Sequence, residues 1–473
     1  MTALNNAALQ SYYGTARLPN YDRSTVTAGI LHLGIGAFHR AHQAVYIDDL
    51  LKDAPDWGIL GASLRRADTK LALGPQDGLY TLAVRDGEAV RTRIIGSVLR
   101  VLDWTQDADE ILACIADPQI RIISLTVTEK GYCRTLDGGD LDRALTVVQD
   151  DLTGRVQRSV PGILVAGLEQ RRRNGAGPVT VLSCDNLRDN GPSTRRVVRQ
   201  FAQISNPELV PWIDANVTFP ATMVDRITPA TIQADTDAIN RLSGLSDAWP
   251  ITTEPFCQWV IEDDFAAGRP AFEAVGVQMV ADVRPFEAMK LRILNGAHST
   301  LAYAGGLMGY EFVAEAVADP VLSGHLTRTV IEEVIPTLDL PAEDLSAYWD
   351  TLLARFANKS LHHRLDQIAQ DGTQKLPQRL LAPIRDNLVA GRSVTGLVFG
   401  LATWIVWIER RRTEGLDLVD PMAKRLFGLA EQANGDIDHL VQLVLTESGL
   451  FGDLLSDDKF CRQVSDQAQK LNT

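Results

Sequence analysis

The apolar positions of the chain follow two rhythms. Up to about residue 184, short apolar runs bounded by glycine and polar clusters alternate with segments of helical period. Residues 29–33, 57–64, 79–84, 90–99, 120–127 and 179–184 read as strands, and 37–52, 110–116 and 159–174 as helices. Strand and helix in alternation predict a mainly parallel sheet covered on both faces. After about Val283 the strand signals become scarce. Helical period then runs through 284–304, 320–335, 345–356, 376–390, 394–412 and 421–432. The expected organisation is an α/β domain over residues 1–282 and a mostly helical one over 283–473. Pro285 falls in the first turn of the first helix of that second domain, where proline is tolerated.

Composition narrows the class. The 473 residues give room for two or three domains, and 45% hydrophobic with 22% charged residues is ordinary for a globular protein. A net charge of -14 gains nothing from counterion release, so no nucleic-acid partner is expected. Cys114, Cys133, Cys184, Cys257 and Cys461 are scattered, odd in number and without a C-x-x-C pair. That argues against a disulfide framework or structural zinc and for reduced thiols in a cytoplasm. The first residues lack a basic stretch followed by an apolar run, so no signal peptide is expected. No apolar stretch reaches the roughly 18 residues of a membrane span, and 396–408 reads as a buried helix. No heptad or apolar stripe settles the oligomeric state.

Candidate chemistry concentrates in Phe286 to His298, FEAMKLRILNGAH, where Lys290, Asn295 and His298 interrupt an apolar helical run. At roughly 100° per residue, Asn295 lies about 140° and His298 about 80° around from Lys290, so all three can face one cavity. Burial disfavours the charged form of a lysine, which suits it to proton transfer near neutral pH. The alternatives are a lysine that snorkels to water and a hydrogen-bonded core histidine. This helix falls where the two patterns meet, and domain junctions commonly hold active sites.

A second motif, HLGIGAFHRAHQAVY, follows the first strand and opens a helix. Gly34 and Gly36 supply the tight turn and close backbone approach that a dinucleotide pyrophosphate needs at a helix N-terminus. The third glycine of the usual fingerprint is absent, and a plain strand–turn–helix is the alternative. The expectation is a Rossmann-type, doubly wound domain. After the second strand, Asp68 suits the ribose of NAD, while Arg65 and Arg66 leave NADP open. His39 and His42 have a metal-like spacing but no third ligand nearby, so no metal is expected. Polar islands follow three further strand-like runs: Thr126 to Glu129, Asp185-Asn186, and Asp225-Arg226. Strand ends of this kind bind ligands in α/β folds, although turns or a structural ion pair explain each singly. Thr126 and Glu129 are assigned to the cofactor. Asn186, Asp225, Lys290, Asn295 and His298 together offer donors and acceptors for a polyhydroxylated substrate.

GIGAFHRAHQAVY, SLTVTEKGYC, VLSCDNL, FPATMVDRITPA, EPFCQWVIEDDFAAGRPAFEAVGVQ and KLRILNGAH together resemble the mannitol dehydrogenase family, the polyol-specific long-chain dehydrogenases. The resemblance runs from about Gly29 to the C-terminus. It implies a dinucleotide-binding domain with insertions, a helical C-terminal domain and an active site between them. It implies metal-independent hydride transfer between a nicotinamide and a secondary alcohol or ketone. Lys290 matches the family's general acid/base. Asn186 and Asn295 match the asparagines that hold the reacting oxygen. Asp225 and His298 match the positions that bind substrate hydroxyls, and Gly34, Gly36, Phe38 and Arg40 match the cofactor loop.

Two departures bear on the substrate. The family's acidic pair after the second strand is reduced to Ala67-Asp68, which favours NAD without fixing selectivity. Gln367 stands where mannitol 2-dehydrogenases carry arginine, and His362 to Arg379 is similar to fructuronate reductases. Lys375 matches a substrate-pocket lysine, and Arg364 offers a second cation for a uronate carboxylate. Alternatively, Arg364 and Arg379 are exposed helix charges. Ser63-Leu64-Arg65 and Asp185-Asn186-Leu187 look more like mannitol enzymes. The expectation leans to D-fructuronate and D-mannonate, with D-fructose and D-mannitol close behind. A non-catalytic nucleotide sensor is the remote alternative, since such a protein has no need to retain the lysine and amides.

Overall fold

The computed structural model describes residues 1–135, 139–154 and 157–472. The chain divides into two compact units, Met1–Arg284 and Pro285–Thr473.

The first unit is built on six parallel strands: β1 (Ala28–Leu33), β2 (Gly58–Ser63), β3 (Val98–Asp103), β4 (Ile122–Leu125), β5 (Val179–Ser183) and β6 (Val217–Thr218). Their order is β3-β2-β1-β4-β5-β6, the dinucleotide-binding order, with the reversal between β1 and β4. Successive side chains leave a strand on opposite faces. Ile30, Ile59, Val101, Ile122 and Leu182 pack on one side with α2 (Gln43–Leu50). Leu31, Leu33, Leu102, Ile123, Leu125 and Val181 pack on the other with α3 (Trp104–Ile115), α4 (Val160–Asn174) and α5 (Asn190–Ser205). Both faces are therefore buried, which is why these strands read as unbroken apolar runs.

Besides a parallel pairing of Thr2–Ala3 with Leu245–Ser246, two three-stranded sheets complete the unit. One joins Tyr80–Asp86 to Ala89–Ile95 and Ile251–Thr253. The other pairs Thr222–Asp225 antiparallel with Gln258–Glu262, alongside Gln278–Val280.

Three expected elements are divided. The helix expected over 37–52 is α1 (Ala37–Ala41) followed by α2, broken at His42 (φ -122°, ψ -88°). The His42 ring packs against Phe38, Tyr46 and Trp259 and pairs through Nε2 with the Gln258 carbonyl at 2.8 Å, which draws its backbone out of the helix. The strand expected over 90–99 is cut at Gly96-Ser97. Gly96 N donates to Asp48 at 2.8 Å and Ser97 Oγ to the Ala44 carbonyl at 2.7 Å, turning the chain from one sheet into the next. The third is the helix expected over 284–304. It runs as α6 (Arg284–Met289), a π-helical segment Lys290–Asn295, and α7 (Gly296–Leu307).

The second unit is mostly helical. Its axis is α8 (Thr395–Thr413), buried without interruption from Thr403 to Glu409 and packed against α7 and α9 (Asp458–Leu471). Buried Glu333 caps α8, accepting from Gly396 N and Leu397 N at 2.9 Å each. Among the described residues no helix is long and apolar enough to cross a membrane.

Candidate active site

In the first unit a cleft of about 1460 Å³ opens at the C-terminal ends of β1 to β4. Gly34, Gly36, Ser63, Arg65, Arg66 and Thr126 are among its walls. Gly34 has φ +95°, and a Cβ there would lie 2.2 Å from the Thr126 carbonyl oxygen. Only glycine allows β1 to turn this close to β4. At Gly36 an added Cβ would meet nothing nearer than 3.7 Å, so the space before the α1 N-terminus is open. That turn, the free amides of α1 and the switch point between β1 and β4 fit a dinucleotide pyrophosphate.

The loop is fixed from beneath. His32 is fully buried and bonds through its two ring nitrogens to Ser124 Oγ at 2.8 Å and Thr126 Oγ1 at 2.9 Å. Thr126 Oγ1 donates to the Gly34 carbonyl at 2.9 Å. Burial lowers the His32 pKa to about 3. Arg40 points inward: its guanidinium donates to the Trp249 carbonyl at 2.6 Å and lies over the Tyr80 and Trp249 rings. Burial brings its pKa down to about 10. Phe38 stacks on His42. Asp68, in the first turn of Asp68–Leu73, is exposed, pairs with Arg66 at 2.9 Å and is not among the cleft residues. Glu129 is exposed between the lining residues Thr128 and Lys130.

Sequence reasoning gave no role to Asp185, which organises the strand ends. Its carboxylate accepts from Val127 N at 2.9 Å, Thr128 N at 3.0 Å and Tyr132 OH at 2.7 Å. Burial raises its pKa to about 6 even against these hydrogen bonds. An acid directly following an apolar strand was the available signal. Asn186 is the next residue and is exposed. Asp225 is buried at the end of Thr222–Asp225, opposite Gln258. Arg226 donates to the carbonyls of Glu254 and Ala41.

In the second unit the π-helical segment changes the expected geometry. Its i→i+5 bonding places residue i+5 about one turn above residue i. Lys290 and Asn295 therefore share a face instead of standing about 140° apart. Lys290 is 6% exposed and His298 5%. Asn295 Oδ1, His298 Nε2 and His363 Nδ1 are buried and have no protein hydrogen-bond partner. The His298 ring packs on Phe356 with centroids 4.4 Å apart and meets His363 edge-on at 5.1 Å. Burial, then the charges of His363, Arg379, Arg355 and Lys290, hold its pKa well below the usual value. Burial brings the His363 pKa to about 4.

The remaining candidates diverge. Lys375 Nζ donates to the Ile368 carbonyl at 3.3 Å. Arg364 is exposed and paired with Glu311. Gln367 is exposed on the short helix Leu365–Ile368. Arg379, left open between a pocket cation and an exposed charge, is half-buried and donates to the Asn295 carbonyl at 3.4 Å and Ser299 Oγ at 3.1 Å.

Comparison with known proteins gives one consistent result. The mannitol dehydrogenase Rossmann domain matches residues 28–274, and the mannitol dehydrogenase C-terminal domain matches residues 282–472. The chain is 44% identical to a D-mannonate oxidoreductase of Escherichia coli strain K12, over 92% of this chain and 91% of that one. It is 38% identical to a mannitol 2-dehydrogenase of Aspergillus fumigatus, over 95% and 92%. Among solved structures, the Pseudomonas fluorescens mannitol 2-dehydrogenase in ternary complex with NAD and D-mannitol superposes with a TM-score of 0.89. That match covers 99% of this chain and 96% of the other at 37% identity. The protein is an oxidoreductase, and its chain belongs to the mannitol dehydrogenase family.

Proposed function

We propose that the protein interconverts a secondary alcohol and its ketone on a sugar acid, D-mannonate and D-fructuronate being the pair, with NAD as cofactor. The observation that carries this reading is the Lys290 helix: a buried lysine beside an amide oxygen and an imidazole nitrogen that have no protein partner. Each such orphaned atom costs about 1–3 kcal/mol, which a hydroxylated ligand would offset. Bound NAD supplies or accepts the hydride at the reacting carbon.

Lys290 takes the hydroxyl proton in oxidation and returns it in reduction, with no metal taking part. Asn295 holds the reacting oxygen, its amide N–H stabilising the negative charge that develops when the ketone is reduced. His298 binds a substrate hydroxyl. We assign Asn186 and Asp225, of the first unit, to the oxygen and to a hydroxyl. Gly34 and Gly36 would admit the pyrophosphate, and Thr126 and Glu129 would border the cofactor. Phe38 and Arg40 support the loop from behind. Asp68 keeps the ribose assignment only if its pair with Arg66 opens.

The 44% identity to a D-mannonate oxidoreductase supports the sugar acid, as does the stretch from His362 to Arg379. The second reading, D-mannitol and D-fructose, is supported by the likeness to a structure that binds D-mannitol. The test is NADH consumption followed by absorbance with D-fructuronate and D-fructose in parallel. The proposal expects the faster reaction with D-fructuronate. Strong turnover of D-fructose with none of D-fructuronate would reject it in favour of the polyol.

A further inference from the structure

The cations that the sequence offers for a substrate carboxylate each have a protein partner. Arg364 is exposed and paired with Glu311, and Lys375 Nζ bonds the Ile368 carbonyl. A different arginine reaches the Lys290 helix. Arg379 stands on the π-helical segment Pro377–Leu381, which packs against the π-helical segment Lys290–Asn295. Gly296 permits the approach: a Cβ there would lie 3.1 Å from the Arg379 carbonyl oxygen. The guanidinium bonds the Asn295 carbonyl at 3.4 Å and Ser299 Oγ at 3.1 Å, spanning two residues four apart on one helix face.

We infer that Arg379 receives the carboxylate of the substrate and thereby sets a preference for a sugar acid over an uncharged sugar. The inference rests on the sugar-acid reading above. Its first support is position. Arg379 meets the helix between one and two turns beyond Lys290, about 5–11 Å along the axis. The carboxylate of a keto-uronate lies at the far end of the carbon chain from the carbonyl, so a carbonyl held at Lys290 leaves it within reach of a guanidinium at that distance.

The second support is charge. Arg379, Arg355 and Lys290 all act on the buried His298 imidazole in the same direction, against a further positive charge. An anion entering there is attracted by the same field. The third is chemistry. A hydrogen bond to a charged group is stronger than one between neutral groups, so the guanidinium favours a carboxylate over a hydroxymethyl end.

The experiment compares Arg379→Gln and Arg379→Lys with the wild type, using D-fructuronate and D-fructose with NADH. The quantity read is the ratio of the two kcat/KM values. In Arg379→Gln this ratio should fall roughly 10- to 100-fold, mainly through KM for D-fructuronate. Arg379→Lys should fall between, because it keeps the charge and loses the fork. An unchanged ratio overturns the inference. So does an equal loss on both substrates, which would mark Arg379 as support for Asn295 alone. If neither variant folds, the wild type decides. KM for D-fructuronate should rise with ionic strength more steeply than KM for D-fructose, and parallel curves overturn the inference. Failure of the sugar-acid reading is separately visible, as wild-type enzyme that reduces D-fructose and leaves D-fructuronate untouched.

Discussion

Lys290 shows what a single residue demands of its surroundings. It is 6% exposed in a helix whose inward positions, Met289, Ile293, Leu294 and Ala297, are apolar. An amine held out of water is unfavourable unless the site uses it. Replacing it with alanine removes the proton carrier and leaves the cleft of the first unit untouched. Lys290→Ala should therefore lower kcat by about 100-fold or more. NADH should still quench the protein's fluorescence with nearly unchanged affinity. A rate close to wild type would reject the proton-transfer role, and loss of NADH binding would show that the substitution acts through the fold. At the same scale Gly34 is confined by sterics: with φ +95° and the Thr126 carbonyl 2.2 Å from an added Cβ, no other residue keeps this turn.

Among elements, legibility follows the range of the forces involved. Four strands of the parallel sheet, β1, β2, β4 and β5, were readable because both faces are buried, and apolar runs such as Gly29-Ile30-Leu31-His32-Leu33 are all that such strands permit, whereas β3 and the two-residue β6 were not read. The breaks at His42 and Gly96 were not readable, since each is made by a distant partner, Gln258 and Asp48. The π-helical register at Lys290–Asn295 was hidden for the same reason: it depends on packing against Pro377–Leu381. In the site, Lys290, Asn295 and His298 were legible as polar residues stranded in an apolar run. The bonds of Arg379 to the Asn295 carbonyl and Ser299 Oγ were not, because they are made across 84 and 80 residues.

Glu333 is another long-range device. It is buried and supplies both carboxylate oxygens to the first amides of α8, 63 and 64 residues away. Glu333→Ala strands those amides and should destabilise the second unit by about 2–3 kcal/mol. The exposed neighbour variant Glu332→Ala should stay within about 0.5 kcal/mol. Urea unfolding checks both, and equal stabilities would reject the capping role.

For the molecule as a whole, the buried titratable groups set how stability responds to acid. His32, His39 and His298 are at most 5% exposed, and burial holds each pKa below 6.5, to about 3 for His32. Between pH 6.5 and their folded values these imidazoles are neutral in the native state and charged in the unfolded chain. The unfolded state then binds more protons, so stability falls as pH falls. Asp185 works the other way. Its pKa is raised from 3.8 to about 6, so in that window the native state holds a proton that the unfolded chain has released, and acid stabilises it. Near pH 5 these histidines, with His363, outweigh the one carboxyl, so stability falls with acid. The first unit carries two of the histidines and the opposing Asp185. The second carries His298, reinforced by His363 at about 4. If the units unfold in separate transitions, both urea midpoints should fall as pH is lowered from 7 to 5, the second at least as steeply as the first. Replacing Asp185 with asparagine removes the opposing group and should steepen the fall in the first unit alone. Midpoints that hold level or rise over this range would show that these imidazoles take up protons in the native state and are not held neutral by burial.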